Sequence, residues 1–78
     1  TKSLTGHEMW MSGAAQVVYS ALMAGGGFIA GNRNFVRQEP GVPALRLSGE
    51  TVDERPRVVL CNSAGFGGTN SCLLLDFD

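Results

Sequence analysis

No charged residue occurs between Glu8 and Arg33, and apolar side chains dominate this stretch. It is rich in good helix formers and contains no proline, so we predict a helix from Glu8 to about Ala24. Three glycines, Gly25 to Gly27, are expected to end it, as glycine commonly does at a helix C-terminus. The apolar side chains surround the predicted axis instead of forming a single stripe. That distribution predicts a helix buried on all sides.

The chain is too short to bury such a helix unaided. Its 78 residues amount to one small domain at most, and the two or three strands that it can offer would cover one face only. Burial of apolar surface contributes roughly 25 cal/mol per Å², whereas the net stability of a whole domain is only about 5–15 kcal/mol. We therefore expect the remaining layers to come from another chain or from a further part of the same polypeptide.

Composition narrows the classes of partner. Charged residues make up 17% of the chain and the net charge is −1, so nothing draws it to nucleic acid or to an anionic membrane. A membrane span over residues 9–32 is disfavoured by its polar residues and its glycine triplet. Two cysteines do not make a disulfide framework, and no secretory leader is recognisable, so we expect a cytoplasmic protein. The start at Thr1 instead of Met suggests a processed chain, a trimmed chain or an internal piece.

The remainder of the chain divides into short predicted elements. We expect an extended segment or short strand at 28–35, a turn-rich loop at 36–43, a short strand at 44–50, a solvated charged loop at 51–57, and strands at 58–63 and 70–77 joined by a glycine-rich turn. Cys61 and Cys72 lie in the last two strands and are expected to be small buried residues. A disulfide between them is unfavoured in a cytosolic protein.

His7 is the sole histidine and lies just before the predicted helix. The positive end of a helix dipole disfavours imidazolium and favours a neutral ring that donates one N–H. Such a donor suits an oxygen that becomes negative during a reaction, as in an enolate. The alternative is that His7 merely caps the helix or forms a hydrogen bond in a core. A zinc site is not expected, because no second histidine follows the His-Glu pair.

The sequence "GFGGTN" at 65–70 is a second candidate site. Gly65, Gly67 and Gly68 surround Phe66 and permit positive φ and close backbone approach. Backbone N–H groups in such a turn can bind an oxyanion. The pattern fits neither a Walker loop nor a dinucleotide fingerprint. The alternative is a tight hairpin that needs glycine for its conformation alone.

Together, "KSLTGH", "GAA", "FIAGN" and "NSAGFGGTN" resemble, in order and spacing, the C-terminal end of the β-ketoacyl-acyl-carrier-protein synthases, the condensing enzymes of fatty-acid and polyketide synthesis. The resemblance covers nearly the whole chain. It implies an α/β fold, the C-terminal part of a five-layered α-β-α-β-α thiolase-like fold, here a buried helix plus the last strands. Residues 1–78 would then form an incomplete domain, the C-terminal portion of the second thiolase-like half.

The resemblance also implies a reaction, the decarboxylative Claisen condensation of an acyl thioester with malonyl-acyl-carrier protein. His7 matches the second of the family's active-site histidines, which donates a hydrogen bond to the malonyl thioester carbonyl. Lys2 matches a lysine that supports the charge and hydrogen-bond network around the site. Phe66 matches a gating phenylalanine whose backbone N–H contributes to the oxyanion hole. The glycines around it, Gly65, Gly67 and Gly68, would let the turn bend and move.

The same resemblance defines the expected partners. These are acyl carrier protein, which carries the substrates on phosphopantetheine, and the N-terminal portion of the enzyme, in a homodimer or heterodimer. No separate cofactor, metal or nucleic acid is implied. The family's nucleophilic cysteine and first histidine have no counterpart in this segment, so we expect the chain alone to be inactive. An alternative is a non-catalytic module, or a separately encoded half, that binds a partner chain. A weaker alternative, a small anion-binding hairpin protein, rests on "GFGGTN" alone.

Some positions depart from the family pattern. "HEMWMSG" replaces a loop usually rich in small residues, and Trp10 and Met11 there are expected to fill space in an acyl pocket or a neighbouring layer. Ala64 stands where many members have an aromatic residue, and Gly31 where proline is common. These changes leave the preferred acyl chain open.

Overall fold

The computed structural model describes residues 1–41, 43 and 45–78. Its elements in chain order are helix α1 (Lys2–Thr5), a 3-10 turn (Met9–Met11), helix α2 (Ser12–Gly26), strand β1 (Val58–Gly65) and strand β2 (Thr69–Asp76). The strands form an antiparallel two-stranded sheet. The predicted mixture of helix and strand is confirmed. Among the described residues, no helix combines the length and the apolar character needed to cross a bilayer.

Helix α2 begins at Ser12, four residues later than predicted. Met9 adopts a left-handed backbone conformation with φ of 53°, which interrupts a helix. The predicted end is confirmed, because Gly27 follows the last helical residue with φ 75° and ψ 35°. The N–H groups of Gly27 and Phe28 both donate to the Met23 carbonyl, at 2.8 and 3.1 Å. They satisfy one of the carbonyls that every helix end leaves without a partner.

The hairpin runs in register from Val58↔Asp76 to Gly65↔Thr69. Along β1, Cys61 is buried and its neighbours two positions away are half-buried, whereas the alternate residues are exposed. This period of two shows that one face of the sheet is covered. The prediction of a buried Cys61 is confirmed. The prediction of a buried Cys72 is wrong, because it pairs with Asn62, lies on the opposite face and is exposed. Both thiols are free.

The segment between α2 and β1 contains none of the predicted strands over its described residues. A single antiparallel bridge joins Ile29 and Val52, with N–H···O distances of 2.8 and 2.9 Å. The short strand predicted at 44–50 is therefore wrong over its described residues 45–50, and of the two alternatives predicted at 28–35 the short strand is wrong, whereas the extended segment is not contradicted. Ala44 of the second, and Val42 of the predicted loop, lie outside the described residues. An isolated strand leaves its backbone groups unpaired, so neither segment forms one without further neighbours.

Gly31 is packed against the loop that returns from this segment. A Cβ at Gly31 would lie 2.6 Å from the Gly49 carbonyl oxygen and 2.6 Å from the carbonyl carbon of Glu50. Such distances are far inside van der Waals contact, so a larger residue would displace the loop. The structure thus accounts for the glycine at position 31.

The chain covers one face of α2 and leaves another open. The helix buries Ala15, Ser20 and Ala24. Its exposed residues, at 14, 18, 21, 22, 25 and 26, mostly recur every three or four positions and are uncharged. Val18 and Leu22 on this stripe retain 55% and 62% of their accessible surface. The expectation that this chain covers only part of the helix is confirmed.

Candidate active site

A cleft of about 1060 Å³ separates the start of α2 from the hairpin. Its walls come from the N-terminal segment, the first two turns of α2 and both strands. Of the site residues predicted from the sequence, which are Lys2, His7, Phe66 and the glycines around it, the cleft is lined by Lys2, His7 and Gly65. Phe66 and the two glycines after it lie beyond its lining. Two distant parts of the sequence, the histidine segment and the strand residues that flank the glycine-rich turn, thus border one opening.

A local hydrogen bond determines which nitrogen of the His7 ring accepts and which one is left to donate. The Met9 backbone N–H donates to His7 Nδ1 at 2.9 Å. Ser12 Oγ, on the first residue of α2, lies 3.4 Å from the same nitrogen. Because Nδ1 accepts, it carries no proton, and the neutral ring carries its proton on Nε2. The ring therefore offers one N–H donor at the cleft, next to the N-terminus of α2.

Lys2 is the first residue of α1 and lines the same cleft as His7. Helix α1 was not predicted from the sequence; it spans only four residues and is followed by Gly6 at φ 82°. That left-handed residue turns the chain between the lysine and the histidine. Lys2 is exposed, so its ammonium is free to add positive charge to the cleft.

The glycine-rich turn occupies the tip of the hairpin. Gly67 and Gly68 adopt φ of 91° and 88°, which side-chain-bearing residues rarely adopt. The ladder closes at the pair Gly65↔Thr69, so Phe66 begins the turn. Its ring is fully exposed, with a relative accessibility of 109%. The turn therefore presents an aromatic ring that the described residues leave uncovered.

Gln16 connects the two sides of the cleft, and sequence reasoning gave it no role. Its Nε2 donates to the Asn62 carbonyl and to Ser63 Oγ, each at 2.9 Å. The helix also approaches the strand closely here, because a Cβ on Gly13 would lie 2.9 Å from Ser63 Oγ. The available signal was a lone amide in an otherwise apolar helix. Buried or half-buried amides are usually hydrogen-bonded, so an isolated one indicates a polar partner.

Glu8 and Tyr19 form a second contact that the sequence did not predict. The Tyr19 hydroxyl donates to Glu8 Oε1. This hydrogen bond, followed by partial burial and the negative charge of Glu8, raises the pKa of Tyr19 above its usual value of 10.0. Within the described residues, Glu8 Oε2 is buried without a hydrogen-bond partner. The contact ties the loop after His7 to the second turn of α2.

The positions that depart from the family pattern also border the cleft. Trp10 and Ala64 both line it, and both are exposed. Met11 is exposed as well and does not line the cleft. Trp10 of the N-terminal segment and Ala64 of β1 thus border the same opening.

No family model matches the chain, and no solved structure matches it. Several curated proteins do. The chain is 39% identical over 75 residues to 3-oxoacyl-[acyl-carrier-protein] synthase 1 of Escherichia coli and 36% identical over 75 residues to the protein of the same name from Haemophilus influenzae. It is 33% identical over 75 residues to 3-oxoacyl-[acyl-carrier-protein] synthase 2 of Coxiella burnetii.

These alignments cover 95–96% of this chain but only 18% of each relative's length. The similarity is therefore continuous across the described histidine segment, α2 and the hairpin, and it concerns one part of a longer protein. The sequence corresponds over nearly its whole length to a segment of a 3-oxoacyl-[acyl-carrier-protein] synthase, which confirms its resemblance to the β-ketoacyl-acyl-carrier-protein synthases.

Proposed function

We propose that this chain forms part of a 3-oxoacyl-[acyl-carrier-protein] synthase that joins an acyl thioester to malonyl-acyl-carrier protein by decarboxylative Claisen condensation. The observation that carries the proposal is the His7 ring, which accepts a hydrogen bond from the Met9 N–H at 2.9 Å and lines a cleft that is also lined by Gly65 and Thr69, the residues on either side of the hairpin turn. The names of the relatives support the reaction class. Because the chain spans 18% of their length, the activity belongs to the complete protein.

In this proposal His7 acts as a hydrogen-bond donor. Loss of carbon dioxide from the malonyl group leaves an electron pair that moves onto the thioester carbonyl oxygen as an enolate. The Nε2–H of the imidazole donates a hydrogen bond to that oxygen and so stabilises its negative charge. Lys2, which lines the same cleft, adds positive charge to the surroundings of the developing anion.

The hairpin turn has a separate role in the proposal. The Phe66 backbone N–H contributes to an oxyanion hole for the acyl thioester, and its exposed ring guards the way to the acyl chain. The left-handed conformations of Gly67 and Gly68 allow the turn to bend. Fixed backbone donors of this kind stabilise a tetrahedral intermediate in acyl transfer.

The rest of the protein completes the fold in this proposal. The thiolase-like arrangement places further layers against α2, and the open stripe that includes Val18 and Leu22 is the surface they would cover. The nucleophilic cysteine and the first histidine come from the portion of the synthase outside this segment. Acyl carrier protein delivers both substrates on its phosphopantetheine arm, and the synthase acts as a homodimer or heterodimer.

The test is the variant His7→Ala in the full-length protein. We expect malonyl decarboxylation to fall by about 10²–10³-fold, the usual effect of removing one donor to a developing oxyanion. Acylation of the cysteine should stay near the wild-type rate, because that step relies on the hairpin turn. Radiolabelled malonyl- and acyl-carrier protein measure the two steps separately. Equal loss of both steps would contradict the role assigned to His7.

A further inference from the structure

We propose that Gln16 is a positioning residue that fixes the glycine-rich turn relative to His7 across the cleft. The inference deepens the proposed function and rests on it. Gln16 touches neither the turn nor the histidine. It acts through the contacts that join α2 to β1, the strand that leads into the turn.

Gln16 lies on a polar face of α2. Ser12, Gln16 and Ser20 are spaced four residues apart, so they line one side of α2. Ser12 Oγ lies 3.4 Å from His7 Nδ1. Ser20 Oγ donates to the Gln16 carbonyl at 2.7 Å and lies 3.9 Å from Cys61 Sγ. A polar stripe on an otherwise apolar helix thus runs from the histidine to the strand.

The side-chain amide of Gln16 makes two hydrogen bonds to β1. Its two N–H groups meet two different acceptors on consecutive residues, the Asn62 carbonyl and Ser63 Oγ, each at 2.9 Å. Two hydrogen bonds from one planar group restrain both the distance and the direction of the strand. Ser63 is two residues before Gly65, where the ladder closes. The restraint therefore acts directly beside the turn.

Little space separates α2 from β1 beside Gln16. Gly13 approaches Ser63 so closely that a Cβ there would lie 2.9 Å from the hydroxyl oxygen. An apolar side chain at position 16 would leave two acceptors without their donors. The strand would then move to recover hydrogen bonds with water, and the turn would move with it. His7 is held by the Met9 N–H, so its position would not change.

The experiment compares two partial reactions in the full-length protein. Gln16→Met keeps the length of the side chain and removes both donors. We expect acylation of the cysteine, in which the acyl group leaves the carrier thiol for the cysteine sulfur, to slow by about tenfold. That is less than the loss of a whole oxyanion donor, because the turn is displaced and not removed. Malonyl decarboxylation, which uses His7, should change by less than about twofold.

A matched control separates this effect from a general loss of structure. Gln38 also forms side-chain hydrogen bonds to the backbone, with Leu45, and lies away from the cleft. Gln38→Met should leave the ratio of the two partial reactions unchanged. Ser63→Ala removes one of the two acceptors and should shift the ratio in the same direction as Gln16→Met by a smaller factor. If Gln16→Met does not fold, the ratio measured for Ser63→Ala tests the inference in its place.

The outcomes are distinct. A shifted ratio in Gln16→Met or Ser63→Ala with an unshifted ratio in Gln38→Met supports the inference. Equal slowing of both steps, or no slowing, overturns it and leaves the proposed function intact. A wild-type protein that catalyses neither step overturns the proposed function itself.

Discussion

A single backbone N–H determines which nitrogen of the His7 ring is left to donate a hydrogen bond. The sequence led to a neutral imidazole through the dipole of the following helix. The structure shows a local contact as well, since the Met9 N–H donates to Nδ1 and leaves Nε2 as the ring nitrogen that can donate. This contact depends on the left-handed conformation of Met9, a residue type that seldom adopts it. Nothing in the residue pattern indicates that conformation. The sequence therefore predicted a ring that donates one N–H, but it could not predict the contact with Met9 that selects the donating nitrogen.

Tyr19 allows a prediction at the same scale. Its hydrogen bond to Glu8 raises its pKa above 10.0, so the phenol should deprotonate at higher pH than a free tyrosine. The neutral phenol is favoured in the folded protein. The stabilisation is therefore present below about pH 10, the unfolded value, and is lost as the pH rises through the folded pKa. An ultraviolet difference titration of wild type against Tyr19→Phe, in the full-length protein, measures the shift.

Glu8→Gln is the matched control for that titration. It removes the negative charge beside Tyr19 and keeps a side chain of the same shape. The pKa of Tyr19 should then move back toward 10.0. A Tyr19 pKa at or below the free value in the wild type would contradict the contact, as would an unchanged pKa in Glu8→Gln.

At the scale of elements, the end of α2 gives a second prediction. Gly27 holds φ of 75°, and a Cβ there would meet nothing within 4 Å. Any cost of Gly27→Ala is therefore backbone strain, about 1 kcal/mol. We expect Gly27→Ala to lower the melting temperature of the full-length protein. Gly27→Asn should lower it less, because asparagine tolerates the left-handed region. If alanine is tolerated as well as asparagine, the helix does not end as described.

The elements that the sequence predicted are those specified by local signals. The end of α2 follows from its glycines, and the hairpin follows from apolar runs on either side of a glycine-rich turn. Local sequence does not determine whether strands form at 28–35 and 44–50, because a strand forms only where a neighbouring strand accepts its hydrogen bonds. The exposure of Cys72 likewise depends on which face of the sheet is covered. The contact between Gln16 and β1 joins residues 46 positions apart and has no local signature beyond a lone amide.

At the scale of the whole chain, the exposed surface is larger than a folded monomer of this mass should have. The accessible area is 6266 Å² for 8.2 kDa. Folded monomers of that mass expose roughly 4,500 Å². Among the described residues, no large side chain is fully buried, and the buried apolar residues are Ala15, Ala24 and Cys61. These are small side chains, so the chain by itself has little of the core that a cooperative fold requires.

With so little core of its own, this segment is expected to acquire its structure only with further protein packed against it. Calorimetry of the isolated 78-residue chain tests this expectation most directly. We expect no cooperative heat absorption, because too little apolar surface is removed from water to offset the entropy of the ordered chain. A domain of this length that folded independently would absorb about 55 kcal/mol at its midpoint, at about 0.7 kcal/mol per residue. A sharp transition of that size in a monomeric sample would contradict the account.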